Sequence, residues 1–353
     1  MQSSVEPLVI NCSFGEGGGA MFRTAIVLSA LSQIPIRLHS IRGALRRKGL
    51  NSEDLTLLTA MSASCRAEVI GDNLDSNEVM FIPHRNARAL RATFDVGAFE
   101  KGNVPGAATV ILQSLIPALA RSGAYSSVRI IGETHAKNIL GFDAMEQSTL
   151  YALRQQGICA FTSLAQAGYG TGSPGEMTLD IEPSKPNSVD WTSRGNTLGC
   201  GAVISYSGIP ESIIERGLAR LRERLAEVNI EADVWSQEVP SKGTGVSITI
   251  WAQCETGCGT GQATGERGLR IESVVDSAFS SFKEWFCSDA AVDQYLADQM
   301  LLPAVLAEGK TTITTQLLTR RLISMAWLVK QFIPVQIMIK GEEGYPGTIT
   351  IER

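Results

Sequence analysis

Three stretches of the chain share one hydrophobic pattern. "GGGAMFRTAIVLSALSQIPIRLHSI" opens on glycines, runs through an apolar segment of helix length, turns, and ends with apolar residues at alternate positions. "VPGAATVILQSLIPALARSGAYSSVRII" and "AAVDQYLADQMLLPAVLAEGKTTITT" repeat that plan. Helices that are apolar nearly all round predict burial against a sheet, and the period of two that follows predicts strands. A second helix belongs to each stretch. "NSEDLTLLTAMSASC" starts at a good N-cap, Asn51 or Ser52, with acids in its first turn. "GFDAMEQSTLYALRQQG" stops at Gly157, a C′ glycine, and "TQLLTRRLISMAWLVKQF" completes the third set. These second helices carry one apolar stripe and one polar face, the pattern of a helix on the outside of a sheet. The prediction is an α/β fold of α+β layers, with three repeated two-helix, four-strand units forming a large body.

Between the second and third units the pattern changes. "PSKPNSVDWTSRGNTLG", from about Pro183, has the Pro/Ser/Asn composition of a boundary. A strand "CGAVISYSG" follows, then a helix opened by Pro210 with Ile213, Ile214, Leu218, Leu221, Leu225 and Val228 along one face. Its other face is Glu- and Arg-rich. The strands "EADVWSQEV" and "GVSITIWAQ" complete a small α/β domain. Composition therefore places the body at 1–183 and 270–353 and the inserted domain at 184–269.

The chain is 353 residues long, 44% hydrophobic and 19% charged, which suits a soluble protein with a large core. No apolar run has transmembrane length and the N-terminus lacks a signal-peptide pattern, so the expected location is cytoplasmic. Seven scattered cysteines do not form a disulfide framework, and "CETGC" (Cys254, Cys258) lacks a second ligand pair for zinc. A net charge of −5 argues against broad nucleic-acid binding but leaves room for a local basic site. Arg42, Arg46, Arg47 and Lys48, just after a strand, and Arg85, Arg88 and Arg91 are the candidates.

Chemistry concentrates in "GEGGGAMFR", where four glycines surround Glu16 and Arg23 falls on the first turn of the apolar helix. "EGKTT" lacks the first glycine of a P-loop, since position 304 is Ala304, and follows a helix rather than a strand. "GYGTGSPG" leads into a strand and reads as a loop near a ligand. The three histidines, His39, His84 and His135, do not sit in a nucleophile-elbow context.

"GEGGG" with its apolar helix and Arg23, the "IR" and "GL" of residues 41–50, "VPGAATVILQSLIPAL" and "YLADQ" together resemble the RNA 3′-terminal phosphate cyclase family, over the whole chain. The three-unit body also resembles the enolpyruvyl transferases, which are usually longer and lack "YLADQ" here. The cyclase resemblance implies use of ATP and a divalent metal such as Mg²⁺ to convert an RNA 3′-phosphate to a 2′,3′-cyclic phosphate. The partners it implies are ATP and an RNA 3′ end. In the family a histidine takes AMP, passes it to the RNA phosphate, and the 2′-hydroxyl expels it. Carried over by motif, Gln113 and the segment Tyr295, Leu296, Ala297, Asp298 and Gln299 correspond to nucleotide contacts. Glu16 corresponds to the acid near metal and triphosphate, and Arg23 and Arg42 to phosphate-facing arginines. The alternative for Arg23 is tight packing with a carboxylate partner.

The chain departs from the family where the chemistry lies. Aligned on "LLT", the adenylated histidine falls at Gln316; counted back from "FIPV", it falls at Arg321. No histidine occurs after His135, and neither glutamine nor arginine forms a phosphoramidate as imidazole does. Ala20 stands where the family usually has Gln, Leu45 replaces an arginine, and Glu53 and Asp54 replace a Gln-His pair. Acids there are expected to repel an RNA phosphate, with Arg46, Arg47 and Lys48 as the candidates to compensate. The resemblance thus implies a nucleotide and RNA-end site with the family reaction impaired or altered. The alternatives are an active cyclase with a displaced nucleophile (His135, Lys310 or Lys242) and a non-catalytic RNA-processing or ribosome-assembly scaffold.

Overall fold

The computed structural model describes residues 6–99, 106–170 and 172–353. Val104 and Pro105, from the opening of the second repeat, and Thr171 of "GYGTGSPG" lie outside the described residues.

The first unit runs β1 (Leu8–Asn11), α1 (Gly19–Ser32), β2 (Ile36–His39), α2 (Ser52–Cys65), β3 (Glu68–Ile70) and β4 (Glu78–Ile82). Its sheet order is β1-β2-β4-β3, with β1 parallel to β2 and the other pairs antiparallel. The second unit runs β5 (Arg91–Asp95), α3 (Ala108–Ala120), β6 (Ser126–Gly132), α4 (Phe142–Ala144), a π-turn (Met145–Thr149), α5 (Leu150–Gln155), β7 (Ala160–Gln166) and β8 (Gly175–Ile181). Its order, β5-β6-β8-β7, repeats the first, with the same strand directions.

The third unit begins with β9 (Asp190–Trp191), a two-residue strand inside the stretch whose composition reads as a boundary. The inserted unit then intervenes: β10 (Thr197–Ser207), α6 (Glu211–Glu227), β11 (Asp233–Glu238), β12 (Gly245–Cys254), β13 (Gly257–Thr264) and α7 (Ile271–Phe286). The chain returns through α8 (Gln294–Leu306), β14 (Lys310–Thr315), α9 (Arg320–Phe332), β15 (Gln336–Lys340) and β16 (Gly347–Glu352). The third sheet, β15-β16-β14-β9, has the topology of the other two.

Within the body, one hydrophobic core joins the three units. Helices meet in its centre: α1 packs on α2, α3 and α9, and α3 packs on α8. The inner strands β6 and β8 bury alternate residues, while β5 and β7 alternate mostly half-buried with exposed ones. The expected polar face of α2 is largely covered, because Ser52, Thr56, Ala60 and Ser64 are small enough to pack between its neighbours. The α9 helix keeps Arg320, Lys330 and Gln331 outside, as expected for an outer helix.

The inserted unit has its own core. It includes α7, beyond residue 269: Val275, Ala278, Phe282 and Trp285 are buried against the sheet β11-β10-β12-β13. β13 accepts this helix because its glycines leave the backbone bare. A Cβ at Gly259 would lie 2.3 Å from the Trp285 ring, and one at Gly261 would lie 2.2 Å from the Ala278 carbonyl. Cys254 belongs to this core and Cys258 to that of the body, so the "CETGC" thiols serve different cores. Among the described residues, no helix is long and apolar enough to cross a membrane.

Candidate functional site

A cavity of about 610 Å³ opens where the three units and the insert meet. Glu16, Gly19, Ala20 and Arg23 enter it from the loop before α1 and that helix's first turns, and Arg42 and Leu45 enter after β2. α3 contributes Val110, Gln113, Ser114 and Pro117, one face of a helix. α8 contributes Tyr295, Leu296, Asp298 and Gln299, α9 contributes Arg321, and the insert contributes Thr260, Gln262 and Ser281. The volume lies within the range of small-molecule sites. Of the motif residues singled out in the sequence, Asp54, Ala297 and Gln316 do not line it; Ala297 is buried in the body core.

Two groups of charges are tied together in it. In the first, Arg42 Nε donates to Asp54 Oδ2 at 2.8 Å and Arg23 NH1 donates to Asp54 Oδ1 at 3.3 Å. Glu53 Oε2 stands 3.7 Å from Arg23 and 3.9 Å from Arg42, while its Oε1 accepts from the Ala107 N–H at 2.9 Å. Asp54 is fixed in turn by a capping box: its N–H donates to Asn51 Oδ1 and its carboxylate accepts from the Asn51 N–H. Gly19 leaves room for both guanidiniums, since a Cβ there would lie 2.5 Å from Arg23 NH1 and 2.7 Å from Arg42 NH2. Burial works against the Arg42 charge, but Asp54, Glu53 and Glu16 outweigh it and hold its pKa above the ordinary arginine value. Arg42 NH2 is buried without a hydrogen-bond partner. The acids at 53 and 54 therefore pair with the arginines. For Arg23, the packing alternative and the cavity position hold together.

In the second group, Arg321 lies between two carboxylates, with Nε 3.9 Å from Glu16 Oε1 and NH1 3.7 Å from Asp298 Oδ2. Thr319, the N-cap of α9, donates to Asp298 Oδ1 at 2.7 Å. Ser324 accepts the Glu16 N–H at 2.9 Å, and Glu16 Oε2 accepts the Gly18 N–H at 3.0 Å. Asp298 Oδ2 is buried without a hydrogen-bond partner. Burial pushes the Asp298 carboxyl up to about 7, against the lowering effects of Arg321 and Thr319. Mg²⁺ takes oxygen ligands, commonly one or two carboxylates with phosphates, so Glu16 and Asp298 are the right donors. The cation between them is already a guanidinium, and with Arg321 in place the residues do not fit a metal shared by both.

The other candidates lie elsewhere. His135 is 1% exposed, with Nε2 3.3 Å from Asp143 Oδ2, Nδ1 2.8 Å from Thr134 Oγ1 and its ring stacked on Tyr169. Asp143 also accepts from Ser205 and Gln237, so this buried network fastens the second unit to the insert. His135, Lys310 and Lys242 are not among the residues that line the cavity, nor are those described from "GYGTGSPG". Arg46, Arg47 and Lys48 are exposed beside the cavity residue Leu45. Sequence reasoning missed Thr319, Ser324 and Asp293, which act through other residues. Asp293 was within reach, because an Asp two residues before "YLADQ" is an N-cap signal; its carboxylate accepts from the Tyr295 and Leu296 N–H groups.

Comparison with known proteins agrees with the motifs. Residues 14–339 match the family model for RNA 3′-terminal phosphate cyclase. The chain is 31% identical to the RNA 3′-terminal phosphate cyclase of Methylococcus capsulatus, covering 98% of this chain and 96% of that protein. It is 33% identical to that of Pseudomonas fluorescens, with 91% of each chain covered. Against that of Thermococcus onnurineus it is 28% identical, over 98% of both. The enolpyruvyl transferase NikO from Streptomyces tendae aligns over 50% of this chain and 33% of its own, at 12% identity and a TM-score of 0.26, too low to carry an argument.

Proposed function

The chain belongs to the RNA 3′-terminal phosphate cyclase family, and from that premise we propose that its cavity binds ATP and an RNA 3′ end without forming the family's protein–AMP link. The observation that carries this reading is where the departures fall: Ala20, Leu45, Glu53 and Arg321 all line the cavity that Glu16, Gln113, Tyr295 and Asp298 line. Asp54, a further departure, does not line the cavity but pairs with Arg42 and Arg23 beside it.

The binding half follows from the residues retained. Gln113 offers both a donor and an acceptor to a base or ribose. Tyr295, 51% exposed at the start of α8, offers a ring. Arg23 and Arg42 supply delocalised positive charge for phosphate oxygens, and the unpartnered NH2 of Arg42 is the donor with capacity to spare. The lost half follows from Arg321, whose guanidinium stays protonated and offers no lone pair to phosphorus. His135 is buried and does not line the cavity, which disfavours a displaced-nucleophile cyclase.

The test is incubation with α-labelled ATP, Mg²⁺ and a 3′-phosphorylated oligonucleotide, with binding followed by thermal shift. ATP should raise the melting temperature, while denaturing gels show neither labelled protein nor cyclised RNA. A labelled protein band or a 2′,3′-cyclic product would overturn the proposal, and the absence of any ATP-dependent shift would overturn its binding half.

A further inference from the structure

We propose that Arg321 is a built-in replacement for a divalent cation, so that this cavity takes its anionic ligand without metal. The identity of the ligand rests on the ATP reading; the place of the cation does not.

The three groups are held together by the first turns of α9. Thr319 caps α9 by accepting from the Leu322 N–H at 2.9 Å, and the same hydroxyl donates to Asp298. Ser324, in the next turn, donates to the Arg320 carbonyl and accepts the Glu16 N–H. The first turns of α9 thus grip the segment that carries Asp298 on one side and the loop that carries Glu16 on the other. Arg321 projects between them and reaches both carboxylates. The side chain is 46% exposed, but its guanidinium is the cation found between these two acids.

A metal coordinated by either carboxylate sits about 2 Å from an oxygen. Here that would place a double positive charge within a few ångströms of the guanidinium, and repulsion between like charges this close weakens metal binding there. A guanidinium between carboxylates can pair with phosphate oxygens through its remaining N–H groups. It supplies one positive charge where a metal supplies two. Glu16 and Asp298, which in a metal site would be ligands, become the groups that aim the arginine.

Two measurements on the full chain decide this. Mn²⁺ binding is followed by electron paramagnetic resonance in wild type, R321Q, R321K and the double variant R321Q/E16Q. Wild type and R321K should leave Mn²⁺ free, whereas R321Q should bind one ion roughly tenfold or more tightly, and E16Q in that background should abolish the gain. Tight Mn²⁺ binding by wild type, or no gain in R321Q that melts as a folded protein, overturns the proposal. R321K keeps the charge, so Mn²⁺ binding by a folded R321K overturns it independently of how R321Q behaves. ATP is then titrated in EDTA and in Mg²⁺. Wild-type affinity should be nearly the same in both, and that of R321Q should depend on metal. ATP binding to wild type only with Mg²⁺ overturns the proposal. Absence of ATP binding in every condition overturns the ATP reading alone, and the Mn²⁺ measurements still decide the cation.

Discussion

Arg42 Nε donates to Asp54 Oδ2 at 2.8 Å beside the cavity, and Asp54 is the one member of the pair with no exposed surface. Asp54 therefore serves Arg42 and Arg23 as a fixed counter-charge. It also caps α2, which couples the geometry of the site to the stability of the helix. Removing one partner of a buried ion pair costs about 3–5 kcal/mol because the other charge is stranded. D54A should therefore lower stability in urea by about that amount. E53A should cost about 1–2 kcal/mol, since Glu53 is partly exposed and its loss mainly leaves the Ala107 N–H unpaired. Equal costs for the two variants would refute the central role given to Asp54.

Gly15 has φ +62, and a Cβ there would lie 2.0 Å from Ser324 Oγ and 2.9 Å from Ser324 Cβ. Ser324 cannot simply rotate away, because its hydroxyl holds the Glu16 N–H and the Arg320 carbonyl. G15A should cost about 1–3 kcal/mol from the left-handed backbone and the clash, and should weaken ATP binding by displacing Glu16. S324A removes only one of the clashing atoms and leaves the Glu16 N–H unpaired. The double variant should therefore be less destabilised than the sum of the singles. Strict additivity in a double-mutant cycle would show that the two residues do not meet as described.

The inserted unit separates packing from surface charge. Arg220 and Arg224 both bond Asp276 across α6 and α7, and they pull its carboxyl down to about 2. The Asp276 side chain is 35% exposed, so solvent screens the pairing. D276N should cost no more than about 1 kcal/mol. G261A forces a methyl against the α7 backbone and should cost about 3 kcal/mol or more. Unfolding of each variant followed through Trp285, which is buried in this core, checks the ranking. If D276N proves the more damaging, the ionic network holds α7 in place.

The parts of this fold that local pattern betrays are those whose local and tertiary demands agree. α1, α3 and α8 are apolar nearly all round and sit in the centre of the body, so their sequences announce burial. β13 is the opposite case. Gly257, Gly259 and Gly261 alternate with the period of a strand but carry no side chain to show it. The role of Gly259 and Gly261 is visible only once Trp285 and Phe282 of α7 are laid on them, and that of Gly257 once the Ala291 carbonyl is. β9 is two residues in a Pro/Ser-rich stretch and gains meaning from β14, more than a hundred residues on. The site divides in the same way. Motif spacing picked out Glu16, Arg23, Gln113 and Asp298, which share the cavity. It misjudged Glu53 and Asp54 because their partners come from α1 and the loop after β2, and it left Arg321 and Gln316 undecided. The fold places Arg321, not Gln316, on the cavity.

Asp298 links the site to pH. Its carboxyl is raised from an ordinary 3.8 to about 7, chiefly by burial. The folded protein therefore keeps a proton that the unfolded chain releases above about pH 4. The sign is fixed: this group's contribution to stability is fully present in acid and is lost as pH rises through about 7. D298N imitates the neutral carboxyl at every pH and can still accept from Thr319. At and below about pH 4 the variant and the wild type should be about equally stable. At pH 8 the variant should be the more stable by roughly one to a few kcal/mol, read as a higher melting temperature. Arg321 lowers the Asp298 pKa, so R321Q should move the pH at which the loss levels off upward and enlarge the total loss. A stability difference between D298N and wild type that stays constant from pH 5 to 8 would mean that Asp298 is ionised throughout. Arg321 would then face two full negative charges from pH 5 upward rather than only above about pH 7.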